Sequence, residues 1–169
     1  MANSKSYPQD SIILLIWIIT GFLSWCISIY FFNPLVLPIV PPAISFLENL
    51  GTPELFLITS NVLLSHISEY VLSFIFALAL SYFSKATKSR IIGFIFAANA
   101  VSLYYHLLQL FGYTKHYSNL PTSAIIWIIQ GLISILVISP LFAIIGSLIG
   151  NRIKRSARKN RWTGLFVVF

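Results

Sequence analysis

Residues 67–111 read ISEYVLSFIFALALSYFSKATKSRIIGFIFAANAVSLYYHLLQLF. Two apolar runs flank a short polar hairpin, Ser84–Arg90, that carries Lys85, Lys88 and Arg90. Each run is about 20 residues long, which as a helix covers the ~30 Å hydrocarbon core of a bilayer. A helix satisfies its own backbone donors and acceptors, so it is the form such runs take in lipid.

The same reading extends outward. An apolar stretch from Ser11 to Phe32 precedes this pair, and another from Ser123 to Gly150 follows it. The expected spans are about 11–32, 60–83, 91–111 and 123–150. The first is too long and too rich in bulky Trp17, Trp25 and Tyr30 for a cleaved secretory signal, so it reads as a retained helix. In the second, Thr52 is the expected N-cap and Pro53 the first helical residue. In the fourth, Pro140 removes one backbone donor and a bend is expected there.

Composition agrees. The 169 residues are 57% hydrophobic and 9% charged, with mean hydropathy +0.87. A soluble domain carries about 25% charged residues. The balance excludes an ordinary soluble enzyme, a nucleic-acid-binding module and a disordered regulator. The fold expected is an all-α integral membrane bundle of four transmembrane helices in a single domain. The linker Asn33–Gly51 holds Pro34, Pro38, Pro41 and Pro42, so it is not expected to form one helix. After the double proline, Ile44, Phe46, Leu47 and Leu50 suit a short helix lying on the membrane surface. No internal repeat is evident. The lone Cys26 permits no internal disulfide and no CxxC chemistry.

Charge sets the expected threading. Ten of the eleven basic residues, including the cluster Arg152, Lys154, Arg155, Arg158, Lys159 and Arg161, fall on one side of the proposed spans. The other side has Lys115, with Glu48 and Glu54. The positive-inside rule then places both termini in the cytoplasm of a cell whose plasma (inner) membrane the chain crosses. The basic tail, 151–169, follows directly on a span. Contact with anionic lipid headgroups explains it better than nucleic acid. Trp162 and the apolar residues after it suit a return into the interface.

Polar residues inside the spans are the candidate site. Glu69 is the one acid well within a span, where a charge costs about 2.5–3.5 kcal/mol on insertion scales. Asn61, Ser65, Glu69, Ser73, Ala77 and Ser81 recur at steps of four, flanked by His66 and Ser68. Asn99, Ser102, His106 and Gln109 fall within about 80° of arc on the next span. The hairpin sets these two helices at matched depth, with Glu69 opposite Tyr105 and His106. Gln130 enters from the same side. The expected polar cluster is His66, Glu69, Tyr105, His106, Gln109 and Gln130, in the outer half.

Three readings of this cluster stand side by side. The residues can serve as interhelical hydrogen bonds alone. They can handle protons or a small solute, since a buried carboxyl beside imidazoles can pass protons on. Or His66, Glu69 and His106 can hold a metal, or the two histidines a haem. No HExxH and no serine–histidine–acid grouping supports an enzyme. The leading expectation is a non-enzymatic accessory, assembly or interaction subunit with a membrane protein partner and no cofactor. A small transporter or channel subunit is the alternative, and a metal or haem enzyme comes last.

Elsewhere the spans read as packing surfaces. Ser139, Ala143, Gly146 and Gly150 share about 60° of arc, and Gly146–Gly150 is a GxxxG spacing suited to close helix approach. Trp17, Trp25, Trp127 and Tyr30 are expected to face lipid or its interface.

Overall fold

The computed structural model describes the backbone of residues 7–116 and 122–166, and side chains for most of 9–112 and 122–157. Among the described residues the structure is all-helical, 94% helix without strands. Helix α1 (Tyr7–Ile27) passes through a π turn (Ser28–Phe32), α2 (Asn33–Val36), a 3-10 turn (Leu37–Ile39) and α3 (Val40–Asn49). Then come α4 (Glu54–Ser65), α5 (Ile67–Phe83) and α6 (Lys88–His116). The last stretch is α7 (Thr122–Ile133), a second π turn (Ser134–Ile138) and α8 (Ser139–Phe166). Three helical runs are long and apolar enough to cross a membrane: Gln9–Asn49, Lys88–Gly112 and Ala124–Ala157. The pair α4–α5, bent by 45° at a short break, makes a fourth if counted as one span.

The proline-rich linker departs from expectation. The helical backbone runs on from α1 into α3, because each proline sits where a new helical register begins. Pro34, Pro38 and Pro41 each fall in a first turn, where a backbone N–H has no intrahelical acceptor to lose. The changes of register make those first turns. Asn33 N–H reaches back five residues to Ser28 O, Leu37 N–H four to Asn33 O, and Val40 N–H three to Leu37 O. Pro140 is handled the same way. Ser139 N–H bonds Ser134 O, and the widened turn carries the run past the proline without a break. The two π turns share a pattern that the sequence reading passes over: SIYFFNP at 28–34 and SILVISP at 134–140, a serine six residues before a proline.

The start of the second span also differs. Pro53, with ψ 142°, is itself the cap of α4, and Thr52 makes no capping hydrogen bond. The expected uninterrupted helix breaks at His66 (φ −102°, ψ 4°), although neither glycine nor proline is near. Ser65 Oγ donates to Asn61 O at 2.7 Å just before the break, a back-bond of the kind that favours a bend.

The hairpin partners α5 and α6 are not the closest pair. α5 packs chiefly on α8, and α1 on α6. Glycines set both approaches. A Cβ on Gly21 would collide with Phe94 O, one on Gly146 with Phe74 O and one on Gly150 with Leu78 O. Ala143 lies buried in the same interface, within a core cluster of Trp17, Ala77, Phe94 and Ala98. Trp17 overturns its expected lipid-facing place. It is 0% exposed, its ring meets Phe94 edge-on at 6.3 Å, and its indole N–H donates to Ser84 Oγ at 2.9 Å. A buried indole needs such an acceptor. The outward faces carry exposed Ile12, Leu15, Phe22, Phe96 and Leu148.

Candidate functional site

Three irregularities of the helices meet at one level, and Glu69 stands among them. The break at His66 gives α5 a fresh N-terminus, and Glu69 lies in its first turn. The positive end of that helix dipole favours a carboxylate there. The residues on either side are tied to the two π turns. Ser68 donates to Asn33 Oδ1 and lies 2.9 Å from Ser28 Oγ, so Ser28 donates to it. Tyr70 hydroxyl bonds Ser134 Oγ. One serine of each S-x5-P pattern thus fixes a neighbour of Glu69.

Glu69 is 7% exposed, yet its contacts are long. Ser102 Oγ donates to Oε1 at 3.5 Å. His66 Nδ1 lies 3.4 Å from the same oxygen, within ion-pair range but outside hydrogen-bond geometry, and finds no other partner. A buried carboxylate held so loosely is under-solvated. His106 is buried too. Its Nδ1 is 3.0 Å from Ser102 O, and because a carbonyl only accepts, the proton sits on Nδ1. Nε2 is then an acceptor, without a partner and packed hard against Gly131. The His106 ring stacks on Trp127 at 5.6 Å and lies 5.6 Å from His66.

These groups border a cavity of about 530 Å³ between α1, the α4–α5 break, α6 and α7. His66, Glu69, Tyr105, His106 and Gln109 of the expected cluster all line it. Gln130 does not. Its amide donates to Thr59 Oγ1 at 2.7 Å, bridging α7 to α4 instead. The lining residues outside that cluster include Trp25, Tyr30, Asn33, Ser65, Ser102 and Trp127. Trp25 and Trp127, expected at the lipid face, border the cavity instead, Trp25 through a hydrogen bond and Trp127 through its stack on His106. Trp25 Nε1 donates to Ser102 Oγ at 2.9 Å. The signal was available, since an indole N–H within a span needs an acceptor.

Among the described residues, no three of the His, Cys, Asp and Glu side chains converge to hold a metal. The partnerless nitrogen of His106 lies close to Gly131, against where a Cβ would stand. At the opposite end, Lys85, Asn151, Lys154 and Arg155 border a second cavity of about 340 Å³, and Lys154 Nζ donates to Phe83 O at 3.2 Å. Arg152 is exposed on the same helix. The side chains of Arg158, Lys159, Arg161 and Trp162 lie outside the described residues. No protein-family model matches the chain, and neither curated proteins nor solved structures offer a match.

Proposed function

We propose that this chain is an integral membrane protein of four membrane-crossing segments, with both termini cytoplasmic, that moves protons or a small solute through the Glu69 cavity. Three helical runs of spanning length and the bent α4–α5 pair, wrapped in exposed leucine, isoleucine and phenylalanine, support insertion. Lys85, Lys154 and Arg155 gather at one end, and Glu69 with both histidines lies away from it, which supports the orientation.

One observation carries the functional part. A buried carboxylate at the start of a broken helix faces a cavity and has no hydrogen bond shorter than 3.5 Å. Discontinuous helices that place a helix end and a charge at mid-membrane are how transporters build binding sites. A polar group that serves to join helices makes a short interhelical hydrogen bond, as the Gln130 amide does to Thr59 at 2.7 Å, and Glu69 makes none.

The test is flux into liposomes. Protein reconstituted with an internal pH dye, under an imposed membrane potential, should acidify the lumen or take up solute, and Glu69→Gln should abolish this. Flux that survives the substitution would remove Glu69 from the mechanism. The protein would then be read as an accessory or assembly subunit, whose purification in gentle detergent should return a stoichiometric partner.

A further inference from the structure

The composition of the cavity narrows what it accepts. Its one charged group is Glu69, and among the residues lining it there is no lysine or arginine. Four aromatic side chains, Trp25, Tyr30, Tyr105 and Trp127, make up most of the remaining large surface. Oxygen ligands for an inorganic cation are a single carboxylate and neutral groups: Ser65, Ser102, Gln109, the Tyr30 and Tyr105 hydroxyls, and Asn33, whose Oδ1 is already engaged by Ser68. Mg²⁺ or Ca²⁺ needs six or more oxygens in a converging set, and among the described residues no three acidic, histidine or cysteine side chains converge on one point. A carboxylate among aromatic faces instead suits an organic cation, which gains from charge pairing and from the ring quadrupoles together. A volume of about 530 Å³ leaves room for a small amine with an apolar substituent.

From this we infer that the Glu69 cavity is a binding site for a small lipophilic ammonium ion. Its N–H groups donate to the Glu69 carboxylate, and its apolar part lies among Trp25, Tyr105 and Trp127. The carboxylate thereby gains the close donors it lacks. This rests on the cavity being the functional site, but it is tested separately from transport.

The probe is 2-phenylethylammonium, with 2-phenylethanol as the neutral match and 3-phenylpropionate as the anionic one. Binding is measured by equilibrium dialysis on the full chain in detergent micelles. The ammonium should bind saturably, the alcohol at least about tenfold more weakly, and the carboxylate not at all. Glu69→Gln, close to isosteric, should weaken the ammonium by about tenfold or more while leaving the alcohol unchanged. Tyr105→Leu serves as a second variant, because Tyr105 is exposed and contributes a ring but no essential packing. It should weaken the ammonium about three- to tenfold. Equal binding of alcohol and ammonium, or ammonium binding indifferent to both substitutions, overturns the assignment. Glu69-dependent flux without ammonium binding would refute the ligand class and leave transport standing. Glu69-dependent binding without flux would do the reverse.

Discussion

The two ends of this bundle are built from the same helices and packed by opposite rules. At the end near the Ser84–Arg90 hairpin, α1 meets α6 and α5 meets α8 through glycine and alanine, and Trp17 and Phe94 fill the remaining space. The helices there are regular. At the other end the helices carry two π turns and one break, and the space between them is a cavity bordered by Glu69, two histidines and four aromatic rings. Small residues allow backbones to touch. Irregular turns hold them apart and leave two imidazole nitrogens, of His66 and His106, without partners, where the packed end leaves the hydroxyls of Ser81 and Ser147. The difference teaches which end is built for stability and which for binding.

Substitutions at the tight end should be the most damaging. Trp17→Ala removes a fully buried ring and leaves Ser84 Oγ without its donor, so it should cost about 3–5 kcal/mol. Thermal unfolding in a mild detergent measures it. A loss below about 1 kcal/mol would mean that this end repacks freely and is not the rigid one.

A pair of glycine substitutions sharpens the contrast. Gly146→Ala drives a methyl into Phe74 O, a backbone atom that moves only if α5 moves with it. Overpacking should outweigh the helix-propensity gain of about 1 kcal/mol and leave a net loss of about 1–2 kcal/mol. Gly131→Ala meets only the His106 ring, which borders the cavity and has space to yield. Its net effect on stability should be under about 1 kcal/mol. Yet it displaces His106, so ammonium binding should weaken. If both alanines cost the same, the ends do not differ in rigidity.

Glu69→Gln should move stability in the other direction. Removing a poorly paired buried charge leaves the fold unchanged or raises its stability by up to about 1 kcal/mol. A variant more stable and inactive is the signature of a group retained for function. A large destabilisation would mark Glu69 as structural.

The two ends were not equally legible in the sequence. Spans appear as apolar runs of the right length, and Gly146, Gly150 and Ala143 share an arc visible on a helical wheel. Five of the six expected cluster residues line one cavity, because helical periodicity puts them on facing arcs whichever helix is the nearest neighbour. The break at His66 was hidden, since no proline or glycine marks it, and the back-bond of Ser65 beside it has counterparts at Thr20 and Thr59 inside unbroken helix. The inward turn of Trp25 and Trp127 was hidden for a different reason. Whether an indole meets lipid, a serine or another ring depends on which helices pair, and α1 with α6 and α5 with α8 is a tertiary choice. The continuous helix through four prolines follows from register shifts, which depend on hydrogen bonds five and three residues back.

The smallest expected effect concerns an ion pair at the tight end. Asp10 Oδ1 accepts from Arg90 Nη2 at 2.7 Å, and Arg90 Nη1 donates to Lys85 O at 2.6 Å. The guanidinium is buried, but Asp10 is 72% exposed, so water and salt screen the attraction. Asp10→Asn keeps an acceptor oxygen in place and removes the charge, and should cost no more than about 0.5–1 kcal/mol, shrinking as salt is added. Arg90→Met, which takes away the buried cation and both of its hydrogen bonds while keeping a long apolar stem, should cost little more, because the stem still packs. Should Asp10→Asn instead cost above about 2 kcal/mol at high salt, electrostatics and not glycine-mediated packing would be holding this end closed. The division of labour between a dry end and a charged one would then fail, since both ends would depend on a single buried charge.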